Sequence, residues 1–119
     1  MADIRMGPAE TQFAEIIWSN EPIASGLLSK KAEEILNWKK TTSFTVLKRL
    51  CERGIFQNQN GTVTSLISME EFFARHSEAY VQETFGGSLP AFMAAFSTRK
   101  KLTDKEIDEM KNLIEKMRG

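Results

Sequence analysis

The stretch Trp38–Gly54, WKKTTSFTVLKRLCERG, decides how the rest of the chain is read. At helical period, Val46, Leu47, Leu50 and Cys51 share one face, with the small Ser43 at its edge. Thr41, Phe44, Thr45 and Lys48 fall roughly opposite. Gly54 ends the pattern one residue after the basic Arg53, where a helix C-terminus is expected. The next stretch, Ile55–Ser68 (IFQNQNGTVTSLIS), changes period and carries Asn60-Gly61 at its middle. Asn-Gly supplies two residues that tolerate positive φ, the requirement of a two-residue hairpin turn. A helix with one face for a core and one face of hydroxyls, lysine and a phenylalanine, followed by a hairpin, predicts a winged helix-turn-helix.

Working back from that stretch, Pro8 to about Ser19 forms a first helix with Phe13, Ile16, Ile17 and Trp18 as its stripe, and Pro8 suits a first turn. Glu21-Pro22-Ile23 is a break long enough for a short strand that joins the hairpin. Ser25 is the expected N-cap of a second helix to about Leu36, with Leu27, Leu28, Ala32, Ile35 and Leu36 inward. Trp38, in the turn between the second and third helices, is read as a wedge between helices rather than a base-stacking residue.

Working forward, the hairpin pairs Ile55–Gln59 with Thr62–Ser68, and Ile55, Phe56, Leu66 and Ile67 lie near its base. Ser68-Met69-Glu70-Glu71 matches a capping box and opens a helix of about four turns. Gly86-Gly87 breaks it, Ser88 caps a short segment from Leu89 to Phe96, and Arg99-Lys100-Lys101 is a polar connector. Thr103-Asp104-Lys105-Glu106 is a second capping box, with Ile107, Met110, Leu113, Ile114 and Met117 on one face of the last helix. The fold expected is mainly α with a small β-hairpin: a winged-helix domain over 1–68 and a helical tail over 69–119. Three helices enclose little core alone. Phe72, Phe73, Tyr80, Leu89, Phe92, Met93, Phe96, Ile107, Met110, Leu113 and Ile114 are therefore expected to pair with the same tail of a second chain.

Lysine plus arginine equals aspartate plus glutamate at 16 each, so whole-chain charge favours no partner. Its distribution is uneven. Leu27–Arg53 holds seven basic residues against three acidic ones, where a helix-turn-helix would meet phosphate. No apolar run approaches the ~18 residues needed to span a bilayer. The start, MADIRMGPAE, lacks the apolar core of a secretory signal, and one cysteine fits a reducing cytoplasm. No cofactor is expected, and no Cys/His cluster has metal-ligand spacing. No nucleophile–base constellation points to an enzyme: His76 is the lone histidine and reads as a core-edge residue. Cys51 reads as a buried structural thiol.

Taken together the chain resembles the penicillinase-repressor family, the BlaI/MecI/CopY group of dimeric winged-helix repressors. The residues that carry the resemblance are Ala14-Glu15-Ile16-Ile17-Trp18, Trp38, Thr42, Arg49-Leu50 and Arg53-Gly54-Ile55. In the tail they are Gly86-Gly87-Ser88-Leu89, Phe92–Phe96 and Leu102-Thr103-Asp104-Lys105-Glu106-Ile107. The resemblance implies a homodimer on a promoter dyad, repressing genes for antibiotic resistance or metal homeostasis. In the beta-lactam branch a membrane sensor protease system signals and the repressor is cut between asparagine and phenylalanine; here that position falls at Ala95-Phe96, which keeps the phenylalanine and has alanine in place of the asparagine. The paired Cys-x-Cys motifs of the copper branch are absent.

The function expected is a cytoplasmic, homodimeric transcriptional repressor. The second helix with Lys39 and Lys40 steadies the third helix on phosphate, and Thr41, Thr42, Phe44 and Thr45 read bases. Lys48 and Arg49 touch backbone or base edges. The hairpin has no Lys or Arg between Gly54 and Ala74, which predicts few phosphate contacts. That neutral wing, with the aromatic Phe44, supports the alternative reading: a winged-helix module that binds a protein and no longer reads DNA.

Overall fold

The computed structural model describes residues 4–119, so the first three residues of the MADIRMGPAE start lie outside it. In chain order the elements are α1 (Pro8–Asn20), β1 (Ile23–Ala24), α2 (Ser25–Leu36), α3 (Lys40–Glu52), β2 (Phe56–Gln59) and β3 (Thr62–Ser65). Then come α4 (Met69–Phe85), α5 (Leu89–Ser97) and α6 (Asp104–Lys116). The chain divides into two compact units, one running through Ser77 and one spanning Glu78–Gly119.

The first unit is a winged helix. Its core takes one stripe from each helix and the inner face of a small sheet. Phe13, Ile17, Leu28, Leu50, Ile55, Phe56 and Val63 are all fully buried. The sheet is antiparallel in the order β1-β3-β2, with Ile23 opposite Val63 and Gln59 opposite Thr62. The hairpin turn forms where Asn-Gly predicts it: Asn60 and Gly61 both have positive φ, at 54° and 88°. The Gly61 N–H donates to Asn58 Oδ1 at 3.0 Å, which further fixes the turn.

Ser25 does not cap α2 with its side chain. Ala24 holds the cap position, and the Ser25 N–H instead donates to Gly61 O at 2.8 Å, tying the helix start to the hairpin tip. Leu27 and Ile35 also depart from expectation. They are 50% and 64% exposed, because α2 buries only the narrow stripe Leu28, Ser29 and Ala32. At its other end Asn37 adopts the left-handed conformation (φ 58°), and the Asn37 and Trp38 N–H groups donate to Glu33 O and Ala32 O, closing the helix. This turn delivers Trp38 onto Phe13, with ring centroids 5.1 Å apart, in the wedge position.

Trp18 closes the base of the unit. Its Nε1–H donates to Ile67 O at 3.0 Å, and its ring meets Phe56 and Phe72 at 5.2 and 5.4 Å. The first turns of α4 therefore pack on the winged helix, and Phe72 is 1% exposed. Ser68 caps α4 through Oγ, which accepts from the Glu71 N–H at 3.1 Å. The reciprocal half of the expected box is replaced, since Glu71 binds Arg75 at 2.8 Å.

The second unit contains the end of α4, α5 and α6. Gly86 and Gly87 turn the chain at φ 59° and 84°, and Ser88 Oγ caps α5 by accepting from the Ala91 N–H at 3.1 Å. Thr103 and Glu106 form a full capping box on α6. Tyr80, Phe85 and Phe92 meet edge to face at 5.6–6.1 Å. No side chain of this unit is fully buried. Leu113 and Ile114 remain 59% and 58% exposed.

Candidate nucleic-acid interface

Helix α3 separates its two faces by burial. Ser43, Val46, Leu47 and Leu50 are buried, while Thr41, Thr42, Phe44, Thr45, Lys48 and Arg49 face outward. No side chain caps the helix N-terminus at Lys39, which leaves its first N–H groups and the positive end of the helix dipole open to an anion. Lys39 and Lys40 flank that end, both exposed, and Lys40 Nζ sits 5.9 Å from the Phe44 ring centre.

Each outward residue has a defined chemical capacity. Thr45 Oγ1–H donates to Thr41 O at 2.8 Å, so its proton is committed within the helix while its methyl and oxygen lone pairs remain for a partner. Lys39, Lys40 and Lys48 have no ion pair among the described residues. Arg49 is different: its Nη1 lies 3.9 Å from Glu10 Oε2. Arg53 converges on the same carboxylate at 3.5 Å and also donates to Arg5 O. Glu10 thus collects both arginines at the C-terminal end of α3. Sequence reading missed this cluster, because the residues lie some forty positions apart.

The hairpin completes the surface. Asn58, Gln59 and Asn60 are exposed and uncharged, while Gln57 spends its amide on Thr64 at 3.1 Å. Glu21 pins the other end of β3 by accepting from both the backbone N–H and the hydroxyl of Ser65, at 2.8–2.9 Å. A crevice between α3 and β2 is lined by Phe44, Leu47, Lys48, Cys51 and Asn58. Cys51 is half-buried there, and burial, with Glu52 beside it, pushes its thiol above the ordinary value, so it is protonated at neutral pH.

The tail residues named in the sequence separate between the units. Phe72 lies inside the first, and Phe73 is partly exposed beside Trp18 at 6.3 Å. Tyr80, Leu89, Phe96, Ile107, Leu113 and Ile114 are exposed in the second, where Phe92, Met93 and Met110 are half-buried. Ala95 and Phe96 lie within α5, and Ala95 O accepts from Thr98. His76 stacks on Phe72 at 5.7 Å. Among the described residues no helix is long and apolar enough to cross a membrane, and no three of His, Cys, Asp and Glu are grouped to hold a metal ion.

Comparison with known proteins adds sequence kinship to this geometry. The penicillinase repressor family model matches residues 6–116. Over 112 residues the chain is 20% identical to the methicillin resistance regulatory protein MecI of Mammaliicoccus sciuri, with 91% of each chain covered. It is 17% identical over 115 residues to the penicillinase repressor of Staphylococcus aureus, covering 93% of this chain and 91% of the relative.

Proposed function

The chain belongs to the penicillinase repressor family, and from that premise we propose that it is a cytoplasmic, homodimeric, DNA-binding transcriptional repressor. The observation that carries the proposal is the outward face of α3, where Thr41, Thr42, Phe44 and Thr45 and lysines without an ion pair among the described residues occupy one surface and the opposite face is buried. Thr41, Thr42, Phe44 and Thr45 meet base edges in the major groove, Thr and Phe favouring thymine methyls. Lys39, Lys40, Lys48 and Arg49 meet the backbone, with Arg49 shared with Glu10. Residues 1–68 bind DNA and 69–119 self-associate, so that two recognition helices face an operator dyad at fixed spacing.

The apolar residues of α5 and α6 support self-association because their own unit leaves them uncovered. A membrane sensor protease system acting at Ala95-Phe96 is the proposed route of induction. That peptide bond lies inside α5, so cutting requires the turn to open. A second reading, a module that binds a protein in place of DNA, draws on Leu27, Ile35 and Phe44, all exposed on the first unit.

Fluorescence anisotropy with DNA from upstream of the protein's own gene, against scrambled DNA, tests the proposal. Preference for the upstream DNA by ~1,000-fold or more establishes a specific regulator. Weak and equal binding to both transfers the fold to the protein-binding reading.

A further inference from the structure

We propose that the crevice between α3 and β2 seats one sugar–phosphate strand of DNA, with Lys48 and Asn58 donating to the same phosphate. This rests on the DNA-binding reading and adds a residue that charge alone does not identify. Lys48 and Asn58 stand on opposite walls, contributed by the helix and the hairpin, and no carboxylate lines the space between them. Phe44, Leu47 and Cys51 complete an apolar lining, with Leu47 buried at its floor and Phe44 bordering both this crevice and the base-reading face. Cys51 adds no negative charge there, since its thiol is protonated at neutral pH.

The geometry of Asn58 determines what it offers. Its Oδ1 accepts the Gly61 N–H at 3.0 Å, so the oxygen is held inward by the turn and the NH₂ is left to donate. A phosphate oxygen accepts only, which matches both walls. The seat is also preformed: the turn that fixes Asn58 is itself tied to the start of α2 by the Ser25 N–H to Gly61 O bond of 2.8 Å. A hairpin without a single cation therefore retains one directed phosphate contact.

Cys51 is the sole cysteine in the sequence and makes the seat measurable. The full-length protein is alkylated with N-ethylmaleimide at mildly alkaline pH, free and saturated with operator, with saturation verified by anisotropy. The expected result is slowed alkylation of Cys51 in the complex. Asn58→Ala should lower affinity about tenfold per protomer, and so about a hundredfold for a dimer, on every DNA sequence, the scale of a hydrogen bond to a charged group. Asn58→Asp keeps the acceptor that holds Gly61 but places a carboxylate against the phosphate, so it should lose more than Asn58→Ala. A purely structural role for Asn58 predicts the reverse order. Unchanged alkylation in a verified complex, or that reverse order, overturns the seat and leaves the regulator standing. Losses confined to particular base pairs, with wild type and variant becoming equal when inosine replaces guanine, would make the hairpin a minor-groove reader and also overturn it. Absence of operator binding refutes the regulator itself.

Discussion

Salt should weaken the operator complex with a slope set by the few cations that α3 presents. Lys39, Lys40 and Lys48 are unpaired among the described residues, Arg49 is shared with Glu10, and the hairpin contributes none. Lys30 and Lys31 belong to α2 and not to the surface that α3 presents. In the proposed dimer, three to four cations on each of two protomers would neutralise ~6–8 phosphates, and at ~0.9 per phosphate log K should fall against log salt with a slope of about −5 to −7. Between 50 and 200 mM salt this amounts to a loss of roughly 10³- to 10⁴-fold. The assay is an anisotropy titration at five or six salt concentrations with a fixed anion. Lys48→Ala removes one contact per protomer and should make the slope shallower by ~2 for the dimer. A wild-type slope of −10 or steeper would require cations that this surface does not present. An unchanged slope in Lys48→Ala would remove Lys48 from the phosphate contacts.

Other perturbations test separate parts of the molecule. Leu113→Asp with Ile114→Asp should raise the dimer dissociation constant by at least ~10³-fold in sedimentation equilibrium, because each side chain contributes roughly 1–2 kcal/mol of burial in both protomers; an unaltered constant moves the interface elsewhere. Thr45→Val keeps the branched shape and a methyl, whereas Thr45→Ser keeps the hydroxyl that bonds Thr41 O. If Thr45 reads a thymine methyl, the serine variant should lose more preference for thymine over uracil in the operator. Thr103→Ala should cost about 1 kcal/mol of local stability by removing the α6 cap, read as lost helicity and faster amide exchange over α6. The backbone and hydroxyl of Thr103 hold the Glu106 carboxyl below the usual carboxylate range. Its contribution is therefore present above the unfolded value and is lost as pH falls through the lowered folded value, so α6 should fray in acid and Glu106→Gln should flatten that dependence.

The features legible in the sequence were those written in local period. The two faces of α3 follow from Val46, Leu47 and Leu50 recurring at helical spacing, and the hairpin follows from Asn60-Gly61. The tail's caps at Ser88 and Thr103 have the same origin. Partners distant in the chain were not legible. Nothing near Glu10 indicates Arg49 and Arg53, and nothing near Ser25 indicates that its N–H goes to Gly61 rather than to a capping side chain. Leu27 and Ile35 mark another limit: apolar character does not say which of several apolar residues a short helix turns inward, and here the buried stripe is Leu28, Ser29 and Ala32. Glu71 is a case of competition, where Arg75 one turn later takes the carboxylate that the cap pattern assigns to the backbone.

The bond between the Ser25 N–H and Gly61 O has a bearing on how this chain can change. Surface hairpin tips usually absorb insertions and fused tags at little cost. Here the tip is moored to the first turn of α2, so added residues at 60–61 would pull on a helix as well as extend a loop. An epitope tag placed there should reduce DNA binding, whereas the same tag after Gly119 leaves the mooring intact. A longer, more basic wing would arise more readily by exchange of Asn58 or Gln59 for lysine, at constant length, than by growth of the turn.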